Sequence, residues 1–260
     1  MNVAGSVQQR LVGKTILVAG AGSIGGGLAK RFAAEGANVV LGDVSLASAQ
    51  TAATAIAASG GSILAVELDG ASEASAQTAV ALTCERFGGL DGMHINFASF
   101  VDQGFDTGVL ELPLADFDET MRVNLRGYYL CTRAALPTLV QRSGSIVYTS
   151  SPAATKGEPT RVAYAIAKAG VEALMRHVAS RYASAGVRAN CISPGSIIAE
   201  ENEKLLPEDM REFCYSLPLL KSRLGRPEDI AAMSALLMSE DGAYITGQVL
   251  GVDGGVILRH

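Results

Sequence analysis

Tyr164 and Lys168 stand four residues apart, so on a helix they share one face, a single turn from each other. A free phenol titrates near pH ~10 and is a poor acid–base group at neutral pH; a neighbouring ammonium stabilises the phenolate and draws that value down. Such a pair arises by chance in about one chain in six of this composition, and the spacing also describes a surface Tyr lying on a Lys stem. Ser150 and Ser151 end an apolar run, where a hydroxyl can donate a hydrogen bond to a carbonyl facing the phenol, or simply cap the strand end. No His is near them in sequence and there is no G-x-S-x-G elbow, so polarisation is expected and not nucleophilic attack. Asn124 falls in a helical stretch for which its propensity is poor; it either bends the helix and binds a water or faces solvent.

A second constellation precedes these residues. Gly20-Ala21-Gly22-Ser23-Ile24-Gly25 reads G-x-G-x-x-G between an apolar run and a helical pattern. Glycines there permit a tight turn and let backbone approach a pyrophosphate seated on the helix N-terminal amides; with 29 glycines, the string alone would be weak. Gly26 and Gly27 extend it and thin the start of the helix. Asp43 ends the next apolar run, where a carboxylate accepts from the adenosine 2′- and 3′-hydroxyls and repels a 2′-phosphate. Neither Ser23 nor Val44 is basic, so NAD is expected over NADP, although a solvated turn Asp has the same address. Asp69 could meet an adenine amino group or cap the helix from Ser72.

The elements that must hold these residues alternate. Continuous apolar strands are expected over 14–19, 38–41, 62–66, 92–96, 145–149, 188–192 and 248–252, separated by helical patterns, including a long one over 116–141 and another over 161–184. Strands apolar on both sides predict an α/β fold: a Rossmann-type, doubly wound parallel sheet of about seven strands in one domain, with helices on both faces and ligands at the strands' carboxyl ends. The segment 195–222 has no strand of its own and reads as a substrate lid. A net charge of −5 without basic runs argues against nucleic acid or an anionic membrane as partner, and no apolar run reaches the ~18 residues of a membrane span. Four scattered Cys without a CxxC pair fit reduced thiols in the cytoplasm, and the three His share no metal-ligand spacing, so no metal is expected.

Together these residues resemble the short-chain dehydrogenase/reductase family over nearly the whole chain, from Lys14 to Gly255. The family's Ser–Tyr interval selects Ser151 over Ser150, and its Asn falls on Asn124; Val187-Arg188-Ala189-Asn190, Pro194-Gly195-Ser196-Ile197, Gly225-Arg226-Pro227-Glu228-Asp229 and Thr246-Gly247 also match. The resemblance implies oxidation and reduction between an alcohol and a ketone with NAD(P) as cofactor, of which Asp43 favours NAD. Tyr164 would give or take the hydroxyl proton, Ser151 steady the carbonyl, Lys168 hold the nicotinamide ribose and lower the Tyr164 pKa, and Asn124 maintain a water linking Lys168 to solvent. The cofactor would lie against Gly20, Gly22, Ser23, Ile24, Gly25, Asp43, Asp69, Asn96, Ala98, Tyr164, Lys168, Pro194, Gly195 and Ile197.

Three departures stand out. Ala19 replaces the usual threonine before a glycine turn one residue shorter, leaving open whether Gly25 or Gly26 takes the last glycine's role; Asn96-Phe97-Ala98-Ser99 replaces N-N-A-G; and Ala199 replaces a threonine that would bond the nicotinamide carboxamide, which would weaken the hold on cofactor. Leu-rich 198–222 with Phe213 and Tyr215, and Phe97, Phe100 and Phe105 at the cleft mouth, favour a hydrophobic small-molecule alcohol or ketone of steroid, terpene or aryl type, or merely seal the lid. The family's habit of forming tetramers or dimers, with Ala165, Ala169 and Ala173 spaced for close helix approach, implies a homo-oligomer. A non-catalytic dinucleotide-binding sensor or scaffold is the alternative, motivated by the altered turn, Phe97 and Ala199.

Overall fold

A computed structural model describes residues 9–100 and 108–258. Apolar residues on both sides of the central strands leave no face for water, and the seven strands of the described residues form one parallel sheet between two helical layers. They are β1 (Thr15–Ala19), β2 (Asn38–Asp43), β3 (Ser62–Glu67), β4 (Gly92–Ile95), β5 (Ser145–Thr149), β6 (Arg188–Pro194) and β7 (Val249–Val252), in the order β3-β2-β1-β4-β5-β6-β7. The order reverses between β1 and β4, which opens a crevice at their carboxyl ends.

On one face, Leu17, Val40, Met93, Ile146 and Tyr148 pack against α3 (Glu73–Phe87), α5 (Gly127–Arg142) and α6 (Val162–Tyr182). On the other, Ile16, Val18, Val39, Val147 and Ile192 meet α1 (Ser23–Ala34), α2 (Leu46–Ala58) and α9 (Pro227–Met238). Ser45 and Ser72 cap α2 and α3 by accepting from the backbone N–H groups of Ser48 and Ser75. The extra glycines of α1 have different fates. A β-carbon on Gly26 would meet nothing within 4 Å, whereas one on Gly27 would sit 2.7 Å from Pro227 Cβ, so Gly27 is what lets α1 close onto the start of α9.

The long helix expected over 116–141 is not uniform. It divides into α4 (Leu114–Met121), a π-helical turn (Arg122–Arg126) and α5. Asn124 sits in the widened turn, fully buried.

The 195–222 segment carries α7 (Glu200–Glu203) and α8 (Glu208–Ser216), with Ile197 bridged to Gly225. Arg226 at the start of α9 fastens it, donating to Ile198 O at 2.9 Å and pairing with Glu203 at 2.6 Å; Glu203 also accepts from Tyr215 Oη at 2.6 Å. The segment's far end hangs from the chain after β7: the amides of Leu219 and Leu220 both donate to Gly254 O, at 2.8 and 3.0 Å. Its leucines do not line the cleft as a group, which corrects the reading from composition. Leu205, Leu219 and Leu220 are exposed, whereas Ile197, Phe213 and Leu217 line the cleft.

Candidate active site

The crevice at the β1/β4 reversal is a cleft of about 940 Å³. Its dinucleotide end begins at the turn after β1. Gly20 takes φ +107°, open to glycine, and a β-carbon on Gly25 would collide with the Gly20 carbonyl. Gly25, not Gly26, therefore closes the turn. A β-carbon on Gly22 would meet nothing within 4 Å, which leaves open space over the start of α1. Gly20, Gly22, Ser23, Ile24, Asp43, Asp69, Asn96, Ala98, Pro194, Gly195 and Ile197 all line the cleft; Gly25 supports it from behind.

The carboxylates and amides here also brace the walls. Asp43 accepts from Ala21 N at 2.7 Å and Ser45 N at 2.9 Å, tying the glycine turn to α2. Asp69 accepts from Ala71 N, while Ser72 and not Asp69 caps α3. Asn96 Oδ1 accepts from the Thr149 hydroxyl at 2.9 Å. That donation fixes the next link: His94 must carry its proton on Nε2, 3.0 Å from Thr149 Oγ1, and accept at Nδ1 from Ser234 at 2.8 Å. Burial holds this imidazole neutral, with its pKa pushed down to about 3.

Phe97 lines the cleft, and its ring also packs over Gly70 and Gly127 and edge-on to Tyr128 at 5.0 Å, occupying the space that any side chain at Gly70 would need. Phe100 lines the cleft too, its ring 5.5 Å from that of Tyr164. Phe105 lies outside the described residues.

At the other end, Ser151, Tyr164 and Lys168 line one wall. Ser150 is buried and donates to Glu172 at 2.7 Å, so it is committed to structure. Ser151 accepts from Ala153 N at 3.2 Å, a bond that uses a lone pair and not its proton. Tyr164 and Lys168 lie on the first turns of α6, with the ammonium 5.6 Å from the Tyr164 ring centre. Lys168 Nζ donates to Thr149 O at 2.8 Å and Tyr128 Oη at 3.0 Å; burial pushes its pKa down to about 7. Asn124 stands apart from the cleft lining. Its Oδ1 accepts from Ser99 N at 2.7 Å and its Nδ2 donates to Ser99 O at 2.8 Å, a two-point clamp on the chain leaving β4.

Two groups escaped the sequence. Arg161, one turn before Tyr164, holds its guanidinium 5.4 Å from the phenol ring and pairs with Glu158 at 3.0 Å, in a left-handed backbone (φ +57°) unusual outside glycine. Tyr128 lies one turn beyond Asn124, and that four-residue spacing was the only signal for it.

What the sheet and cleft define is a class: Rossmann-type oxidoreductases, in which one crevice serves both a dinucleotide and the group it oxidises or reduces. The family described as Enoyl-(Acyl carrier protein) reductase matches residues 18–257. A probable short-chain type dehydrogenase/reductase of Bradyrhizobium diazoefficiens is 40% identical over 251 residues, covering 95% of this chain and 89% of its own. The 2,5-dichloro-2,5-cyclohexadiene-1,4-diol dehydrogenase LinX of Sphingobium indicum is 34% identical, covering 95% and 97%. Among solved structures, a short-chain dehydrogenase/reductase from Serratia marcescens superposes with a TM-score of 0.86 at 30% identity, covering 95% of this chain and 99% of that one. This chain belongs to the short-chain dehydrogenase/reductase family, whose oxidoreductases use NAD(P).

Proposed function

We propose that the protein is an NAD-dependent dehydrogenase that interconverts a secondary alcohol and a ketone on a hydrophobic small molecule. The observation that carries this reading is the sharing of one cleft by the glycine turn and the Ser151, Tyr164 and Lys168 side chains. The dinucleotide fits the residues present: open space lies over Gly22, and Asp43 ends β2 beside the turn. NAD is favoured over NADP because the carboxylate of Asp43 opposes a 2′-phosphate, its neighbours Ser23 and Val44 carry no positive charge, and the lining Arg122 is already paired in two bonds with Glu119.

When bound, the nicotinamide accepts or supplies the hydride. Tyr164 takes the hydroxyl proton in oxidation and returns it in reduction. Ser151 donates a hydrogen bond to the same oxygen, holding it against the phenol. Lys168 supplies positive charge beside Tyr164, favouring the phenolate. Asn124 fixes the chain after β4 through Ser99, so it positions the cleft floor.

Phe100, Phe213 and Leu217 make the substrate end apolar, and LinX, named for a cyclic diol, points to ring-bearing substrates. The 195–222 segment serves as the lid. Ile166, Ala169 and Ala173 expose one face of α6, and Tyr129 that of α5, surfaces suited to a dimer or tetramer of this chain. No disulfide joins the described cysteines, which fits the cytoplasm.

Following the NADH absorbance with a panel of cyclic ketones and, separately, polar sugars tests the reading. Native protein should oxidise NADH with the ketones, and Tyr164→Phe should lose about 10²–10⁴-fold in rate. Equal activity of the two proteins would overturn the mechanism, activity on sugars alone would overturn the substrate class, and NAD binding without turnover would favour the sensor.

A further inference from the structure

Lys168 is buried at 1% exposure, and its surroundings are unusually specific. Thr149 O of β5 takes one of its N–H donors. Tyr128 of α5 takes another, 3.0 Å away, with the ammonium 4.5 Å from that ring's centre. Tyr128 is itself fully buried and passes its own proton to Phe97 O at 2.9 Å. The ring is held on both sides, by Phe97 edge-on at 5.0 Å and by Tyr148 stacked at 6.4 Å. A hydroxyl that accepts from an ammonium while donating to a carbonyl does what a bridging water would do.

We infer that Tyr128 is a positioning residue for the reaction: its buried phenol stands in for a solvent-linked water behind Lys168, fixing the ammonium beside Tyr164 and favouring its charged form. The inference rests on the reading of Tyr164 and Lys168 as the proton-transferring pair. Tyr128 holds and does not ionise, because burial raises its pKa well above the ordinary value, with Tyr164, Cys191 and Cys131 pushing the same way. The groups facing Lys168 are Tyr128 from α5, the Thr149 carbonyl from β5, Cys191 from β6 and Tyr164 from its own helix. Tyr128→Phe removes the Tyr128 hydroxyl from this set with almost no change of shape and leaves Tyr164 in place.

The test is a pH titration of protein carrying ¹³Cε-lysine, followed by NMR with and without NAD, in native and Tyr128→Phe forms; Lys168→Met assigns the signal among the six lysines. Loss of a hydrogen bond to the charged form should lower the Lys168 midpoint by about one pH unit. An unchanged midpoint in folded Tyr128→Phe overturns the inference. If that variant does not fold, the native protein decides: a slowly exchanging Tyr128 hydroxyl proton with a cross-peak to the Lys168 ε-methylene supports the contact, and its absence overturns it. Turnover in Tyr164→Phe reads the functional proposal separately, so either can fail while the other stands.

Discussion

Ala199 bears on a helix cap and, in the family pattern, on the cofactor. It is the residue before α7 and caps that helix without any side-chain bond. A threonine there would supply a capping oxygen, worth about 1 kcal/mol, and, by the resemblance, a hydroxyl for the nicotinamide carboxamide. Ala199→Thr is expected to tighten NAD binding about fivefold, as one added hydrogen bond would, measured by calorimetric titration. A higher melting temperature with unchanged NAD affinity would mean that only the cap was gained. At this scale the sequence was readable where spacing carries the chemistry: Ser150 and Ser151 both line the cleft, and the donation of Ser150 to Glu172 is compatible with the family interval that selects Ser151. Tyr128 was not readable, because a phenol buried on a helix looks like any core aromatic until its hydroxyl is seen on Lys168. The packing of Phe97 behind the cleft wall was not readable either, because it depends on Gly70 and Gly127, far from it in sequence, leaving a hollow of the right size.

The strands were legible because burial on both faces writes itself as unbroken apolar runs, and β5 spans the very residues expected. The π-helical turn around Asn124 left no comparable trace, since its extra residue per turn is set by the clamp on Ser99 and not by local propensity. The 195–222 segment was legible as a strandless stretch, but not which of its leucines turn inward. Its fastening is ionic: Arg226 grips Glu203 and Ile198 O, and the hydrogen bonds from Tyr215 and Arg226 hold the Glu203 pKa below the usual carboxylate range. Arg226→Ala should therefore loosen α7 and α8 without disturbing α9, whose first turn is capped through the Arg226 backbone N–H and Asp229. Limited proteolysis should cut within 200–216 several-fold faster in the variant, and KM should rise more than kcat changes. Identical digestion rates would show that the ion pair does not hold the lid.

Across the whole molecule, His94 joins β4, β5 and α9 through Thr149 and Ser234. Its neutral form is favoured by folding, since the pKa falls from 6.5 to about 3. Between those values the unfolded chain binds a proton that the folded chain refuses, so this contribution is whole above pH ~6.5 and drains away as pH falls. By pH ~5 the loss is roughly 2 kcal/mol. Urea unfolding at pH ~7 and ~5 should show that difference in native protein and a smaller one in His94→Gln, which cannot titrate. Equal pH sensitivity in both would place the acid weakness elsewhere.

The Gly254 carbonyl, which receives both Leu219 and Leu220, makes the far end of the 195–222 segment and the chain after β7 share one hinge pin. A change that displaces Gly254 would tug on that pin, and kinetic constants gathered from such a variant would report the tether along with the chemistry.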